Sequence, residues 1–236
     1  MSQNRGGLLV AAIGGGAIGA ALMAGALVFA GRSAVGDTIV RDALGRHPEI
    51  LVETADLLRD RQYAPTIAAN RLALETPFGS SWKGAAKPDV TLVEFYDYAC
   101  GYCRASLPHI ERLLAEDKGL RVVFRELPIL GADSIAASRV ALVASKAGKF
   151  GIYHDTLFAA GRPGPDTIAI AATAAGIAPT PVETPEYEAE LKRNFELAGQ
   201  LGATGTPLFV VGDRVINAAV GYDGLKKAIA AARERG

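Results

Sequence analysis

Val90-Thr-Leu-Val-Glu-Phe-Tyr-Asp-Tyr-Ala-Cys-Gly-Tyr-Cys103 decides the reading of this chain. Residues 90–96 are rich in apolar, β-branched and aromatic side chains, which predicts a buried strand. Ile110, Leu113 and Leu114 then give the next stretch a helical face, and Leu120-Arg-Val-Val-Phe124 reads as a second strand. A β-α-β order implies a parallel pair and an α/β fold. The cysteines therefore sit where a strand runs into a helix. Cys100 falls at the helix amino terminus, where unpaired N–H groups and the helix dipole favour a thiolate. Cys103 lies one turn further in. This arrangement suits thiol–disulfide exchange, with Cys100 attacking and Cys103 resolving. A zinc half-site would need further ligands, and His47, His109 and His154 show no ligand-like spacing. A purely structural disulfide would close too small a loop to stabilise much.

Working outward, residues 132–202 read as a helical block. Ala136, Val140, Val143 and Ala147 fit one helix, and Tyr153, Leu157 and Phe158 another. A Gly-Arg-Pro-Gly-Pro loop (161–165) precedes a helix over 167–175, and residues 186–201 form one more. Strands return at 208–211 and 215–216, with Gly212-Asp213 as the turn of an antiparallel pair. Residues 225–233 close the chain as a helix. Thr206-Pro207 stands just before a strand, and its peptide bond is open to either isomer. Glu94 lies in the first strand. It is either a solvent-facing side chain on an edge or a buried carboxyl able to exchange protons near neutral pH.

Towards the amino terminus, residues 37–75 read as helical. Ile39, Val40, Ala43 and Leu44 share a face, His47-Pro48 interrupts, and Ile50, Leu51, Ala55, Leu57 and Leu58 recur at helical spacing. Pro65 is expected to open a third short helix. Residues 78–88, rich in Gly, Ser and Pro, read as a linker. Gly6 to Gly31 carries no charge and is long enough to cross a bilayer, so residues 8–30 are expected to anchor the chain; a cleaved signal is the alternative. Either places residues 33–236 outside the cytosol, where disulfides persist. The two cysteines are the only ones among 236 residues, which excludes a scaffold stapled by several disulfides. Lys and Arg number 25, as do Asp and Glu, and no basic stripe suggests a nucleic-acid partner.

Phe95-Tyr-Asp-Tyr-Ala-Cys-Gly-Tyr-Cys103 and Gly205-Thr-Pro-Leu-Phe-Val-Val-Gly-Asp-Arg-Val215 resemble the DsbA family of bacterial periplasmic oxidoreductases, over about residues 77–236. The resemblance implies a thioredoxin fold with a helical insert at about 131–202, acting on protein thiol and disulfide substrates without cofactor or metal. It implies a membrane redox partner and a place on the periplasmic side of the inner membrane. It puts Cys100, Cys103 and the buried acid Glu94 in catalytic roles, and Gly101, Tyr102, Thr206 and a cis Pro207 against the substrate. The chain departs from the founding oxidase, which has Pro-His where Gly101-Tyr102 stands here. His47-Pro48-Glu49 matches a motif of the ScsC-like and Com1-like branch, whose helical extension can mediate oligomerisation. The expected organisation is residues 1–36 as anchor or signal, 37–76 as a helical extension and possible oligomerisation segment, and 77–236 as the redox domain. A thiol- or copper-binding protein, or a holdase without turnover, is the alternative.

Overall fold

The computed structural model describes residues 36–235. The expected membrane segment, Gly6 to Gly31, lies outside the described residues; among those described, no helix is long and apolar enough to cross a membrane. The chain divides between Leu57 and Leu58 into two units. In the first, residues 36–46 form helix α1, and α2 (Glu49–Glu75) starts directly after Pro48. The break at His47-Pro48 is thus where the sequence puts it. None of residues 36–57 is buried, and Ile39, Val40, Ile50, Leu51, Val52 and Leu57 all stand exposed.

The second unit holds β1 (Trp82–Gly84), β2 (Val90–Tyr96), α3 (Gly101–Glu116), β3 (Leu120–Glu126), α4 (Ala132–Lys146), α5 (Phe150–Ala160), α6 (Pro165–Ala175), α7 (Pro185–Gln200), β4 (Leu208–Val211), β5 (Arg214–Ile216) and α8 (Gly221–Arg235). The strands form one mixed sheet in the order β1-β3-β2-β4-β5. β2 and β3 run parallel, while β4 is antiparallel to β2 and to β5. The β4–β5 turn needs its glycine: Gly212 has φ +57°, and a Cβ there would also press on Ala232.

Two sequence expectations are corrected. Pro65 does not open a new helix but lies inside the continuous α2. It is exposed, so water can take the carbonyl that its missing N–H would have bonded, and burial of Ile67 and Leu74 beyond it holds the helix on course. Residues 78–88 are not a linker, because β1 lies among them and pairs antiparallel with β3, Trp82 opposite Val123.

Side chains alternate across the sheet. Leu92 and Tyr96 of β2, Val122 and Phe124 of β3, and Phe209 and Val211 of β4 join one core with α3, α8 and the insert helices. Val93, Phe95, Val123, Leu208 and Val210 join the opposite core, closed by Ile67 and Leu74 of α2 and by Leu197, Ala198 and Leu201 at the end of the insert. A buried ion pair fastens that side: Arg125 Nη1 lies 3.1 Å from Glu190 Oε1 and 2.9 Å from Asn194 Oδ1, and its Nε donates to the Leu74 carbonyl. On the first side Glu126 accepts from Ser138 Oγ at 2.6 Å and from the Tyr96 hydroxyl, tying α4 to β3.

Candidate active site

Helix α3 begins on the two cysteines. Cys100 is its N-cap, with φ −79° and ψ 117°, and its Sγ accepts the backbone N–H of Cys103 at 3.4 Å. The Cys100 N–H donates to the Asp97 carbonyl, and the Cys100 carbonyl accepts the N–H of Arg104. Cys100 retains 6% exposure and Cys103 none; both are free thiols. The Cys100 thiol is lowered to about 5. A hydrogen bond from the Cys103 thiol does most of this, against the cost of burial, and Thr206 and the backbone amides of Cys103 and Tyr102 add to it. Donating that same bond pushes the Cys103 thiol far above its usual range, and burial and the charge of Glu94 push it further. One hydrogen bond thus separates the two sulfurs into a ready nucleophile and a held proton.

The Thr206–Pro207 peptide is cis, and Cys100 Sγ donates to the Thr206 carbonyl at 3.2 Å. Tyr102, Thr204, Gly205, Thr206, Pro207 and Asn217 line a cleft of about 410 Å³ beside the pair, with no charged side chain in its wall. Gly101 and Tyr102 are exposed at its mouth. Glu94 is 1% exposed, opposite Phe124 on one side and Phe209 on the other, so it is no edge-strand side chain. Neither of its carboxylate oxygens has a hydrogen-bond partner. Burial first, then the charge at Cys100, raise it to about 8, and Lys83 opposes the rise. The structure therefore brings Cys100, Cys103, Glu94, Gly101, Tyr102, Thr206 and Pro207 together.

Three features escape the sequence. Lys83 comes from β1, the strand read as linker; its Nζ bridges Glu111 at 2.5 Å and Asp155 at 2.6 Å while lying 5.9 Å from the centre of the Phe124 ring. Arg104, next to Cys103, donates to the Gly161 carbonyl at 2.5 Å and so ties the cysteine helix to the insert. Asp97 is fully buried three residues before Cys100. Its place in a strand-to-helix connection was the available signal, since a carboxylate there commonly takes backbone N–H groups. Among the described residues, no group of three His, Cys, Asp or Glu side chains is placed to hold a metal ion.

A family model described as DSBA-like thioredoxin domain matches residues 91–230. Three solved structures are similar. The catalytic domain of Proteus mirabilis ScsC has 27% identity and a TM-score of 0.67, over 73% of this chain and 99% of that one. A thioredoxin-like oxidoreductase from Silicibacter pomeroyi DSS-3 has 34% identity and a TM-score of 0.63, over 70% and 98%. A periplasmic thioredoxin-like protein from Salmonella enterica serovar Typhimurium has 29% identity and a TM-score of 0.64, over 70% and 95%. Among curated proteins, Na(+)/H(+) antiporter NhaA 3 of Salinispora tropica is 34% identical over 79 residues, which is 33% of this chain and 12% of the antiporter.

Proposed function

Because the chain belongs to the family of DSBA-like thioredoxin domains, we propose that it is a thiol–disulfide oxidoreductase that exchanges disulfides with protein clients through Cys100 and Cys103. The carrying observation is the division of labour between the sulfurs: Cys100 is lowered to about 5 while Cys103 is buried and raised. A stabilised thiolate stabilises the reduced form, which makes the Cys100–Cys103 disulfide the stronger oxidant. The favoured direction is therefore oxidation of client dithiols.

In that direction a client thiolate attacks Cys100 Sγ of the disulfide. A mixed disulfide forms and Cys103 leaves as a thiolate. Cys103 takes up a proton, and the neutral carboxyl of Glu94, the buried acid that acts on it electrostatically, is its donor. The second client thiolate then attacks the client sulfur of the mixed disulfide and expels Cys100 as a thiolate. The client loses two electrons and two protons, and the cysteine pair gains the electrons. A membrane redox partner reoxidises the pair. Gly101, Tyr102, Thr206 and Pro207 hold the client backbone across the uncharged cleft. Catalysis on this reading runs on sulfur alone, with no cofactor.

The location proposed is the periplasmic face of the inner membrane, with residues 8–30 as the tether. The apolar run in the sequence supports it, as does the likeness to a periplasmic protein. Self-association through residues 37–57 is proposed as well. Ile39, Ile50, Leu51 and Leu57 are uncovered in the single chain, and an apolar helical face requires a partner. Several active sites held in one assembly would permit isomerisation beside oxidation.

The deciding experiment mixes the oxidised protein with a reduced two-cysteine peptide. Formation of one client disulfide per Cys100–Cys103 pair reduced supports the reading. Binding of peptide or Cu(I) without any change in thiol count would leave a binding protein instead. Sedimentation of residues 33–236 as an oligomer supports the assembly; a monomer at micromolar concentration removes it.

A further inference from the structure

The loop that carries Thr206 and the cis Pro207 runs from the end of α7 to the start of β4. Among the described residues, residues 204–206 make no backbone–backbone hydrogen bond; the last one before them joins the Ala203 N–H to the Ala198 carbonyl at 2.9 Å. Their contact with the site is Thr206, whose carbonyl accepts from Cys100 Sγ at 3.2 Å. A loop without a ladder of its own is placed by its ends. One end is Leu208, paired with Phe95 of β2. The other is Gly202.

Gly202 is gripped by two side chains that are distant from it and from each other in sequence. It has φ +69°, and a Cβ built on it would overlap the hydroxyl of Tyr63 and the ring carbon that bears it. Glycine is therefore needed there twice, for the backbone angle and for the room that Tyr63 takes. Tyr63 belongs to α2, and it packs with Ala203 against the core beneath the sheet. The second grip is Asn217, directly after β5, whose Nδ2 donates to the Gly202 carbonyl at 3.1 Å. Asn217 also lines the cleft with Thr204, Gly205 and Thr206. Its Oδ1 is buried without a hydrogen-bond partner. A buried acceptor left unmade is unfavourable, so filling space is not what asparagine does here; its donor is what the position uses.

We propose that Tyr63 and Asn217 are positioning residues for disulfide exchange: together they fix Gly202, and through it the start of the loop, so that Thr206 stays against Cys100. The proposal rests on the oxidoreductase reading above and extends it to two side chains outside the Cys-Gly-Tyr-Cys and Thr-Pro motifs. Thr206 helps to hold the Cys100 thiol low. Loosening the loop withdraws that help, while Cys103 on α3 and Glu94 on β2 stay in place. The Cys100 thiol should then titrate higher.

The test follows the thiolate absorbance of the reduced protein against pH in the parent, Tyr63→Ala, Asn217→Leu, Tyr63→Phe and Ile67→Ala. Tyr63→Ala and Asn217→Leu are each expected to raise the Cys100 midpoint by about one pH unit, a tenfold weaker acid. They lie in different elements, so one reports where the other fails to fold. Tyr63→Phe keeps the ring over Gly202 and should restore most of the parent value. Ile67, one turn further along α2, is buried in the same core. Ile67→Ala weakens the fold and should leave the midpoint unmoved. Parent midpoints in both loop variants, or an equal shift in Ile67→Ala, would overturn the proposal. Oxidation of a reduced two-cysteine peptide is measured on the same samples. A parent that oxidises the peptide while the midpoints stay put loses this proposal alone. A parent that does not oxidise it loses the oxidoreductase reading, and with it the exchange role given to these two residues.

Discussion

The backbone N–H of Cys103 points at the sulfur of Cys100 from 3.4 Å away, so the residue that resolves the mixed disulfide also prepares the attacking one. With Cys100 lowered to about 5 and Cys103 raised, alkylation of the reduced protein near pH 6 should modify Cys100 alone. Cys103→Ala removes the side-chain donor and keeps the backbone one, so thiolate absorbance should then titrate at a higher pH. Cys103→Ser should trap mixed disulfides when its Cys100 thiolate attacks oxidised clients, since the intramolecular thiol that would release them is gone. Labelling of Cys103 before Cys100 would reverse the roles.

Glu94 has its folded-state pKa raised from 4.5 to about 8. The folded protein therefore holds a proton that the unfolded chain releases above about pH 4.5. Its stabilising contribution is whole below that pH and is lost as pH rises to about 8. Glu94→Gln should accordingly raise the melting temperature more at pH 8.5 than at pH 5. The same substitution should slow dithiol oxidation near neutral pH by about a hundredfold, the low end of the usual range for a lost general acid or base, and remove the inflection near 8 from the rate profile. A pH–rate profile superimposable on the parent's would detach Glu94 from catalysis.

Ile67 and Leu74 lie in α2, which the sequence assigns to an extension, yet both are 1% exposed in the core beneath the sheet. A chain starting at Leu58 should fold as a monomer. A chain starting at residue 77 strips one face of the sheet and should expose dye-binding apolar surface. Ile67→Ala should cost about 2–4 kcal/mol in denaturant unfolding, the range for a buried aliphatic side chain. A cost well under 1 kcal/mol would return α2 to the periphery.

Arg125 and Glu190 are 3% and 7% exposed at the side chain, and Arg125 also binds the Leu74 and Thr76 carbonyls. Arg125→Ala leaves the buried Glu190 with Arg193 alone, 3.4 Å from its other oxygen, and takes the donor from the Leu74 and Thr76 carbonyls, so it should cost about 3 kcal/mol, the low end for a broken buried pair. Because water is excluded, the pair should contribute nearly the same at low and high salt. A strong salt dependence of that loss would place the pair in water.

The fold was legible where side-chain pattern and backbone agree. Residues 90–96 and 208–211 are strands with the predicted bounds, because every position there except Thr91 is buried. Gly212 announced its turn because only glycine sits easily at φ +57°. β1 was illegible: Trp82-Lys-Gly84 has no alternation to read, and only pairing with β3 makes it a strand. Pro65 misled because local cost was outweighed by burial further along the helix. In the site, the cysteines, Glu94, Thr206 and Pro207 carry motif signals. Lys83 does not, since its partners Glu111 and Asp155 are distant in sequence; Asp97 stands inside the motif, but three of its four donors, on Ile129, Leu130 and Ser134, are distant.

The order β1-β3-β2-β4-β5 also sets a timetable. A ribosome delivers Cys100 and Cys103 about a hundred residues before Thr206. Thr206, which bonds Cys100, and Phe209, which shuts Glu94 away from water, emerge only after the whole insert. Until β4 slots in beside β2, the nascent chain lacks the Thr206 contact to Cys100 and carries a solvated glutamate. The site is complete only once β4 has emerged, so a chain stalled before Thr206 makes a poor oxidant of its neighbours.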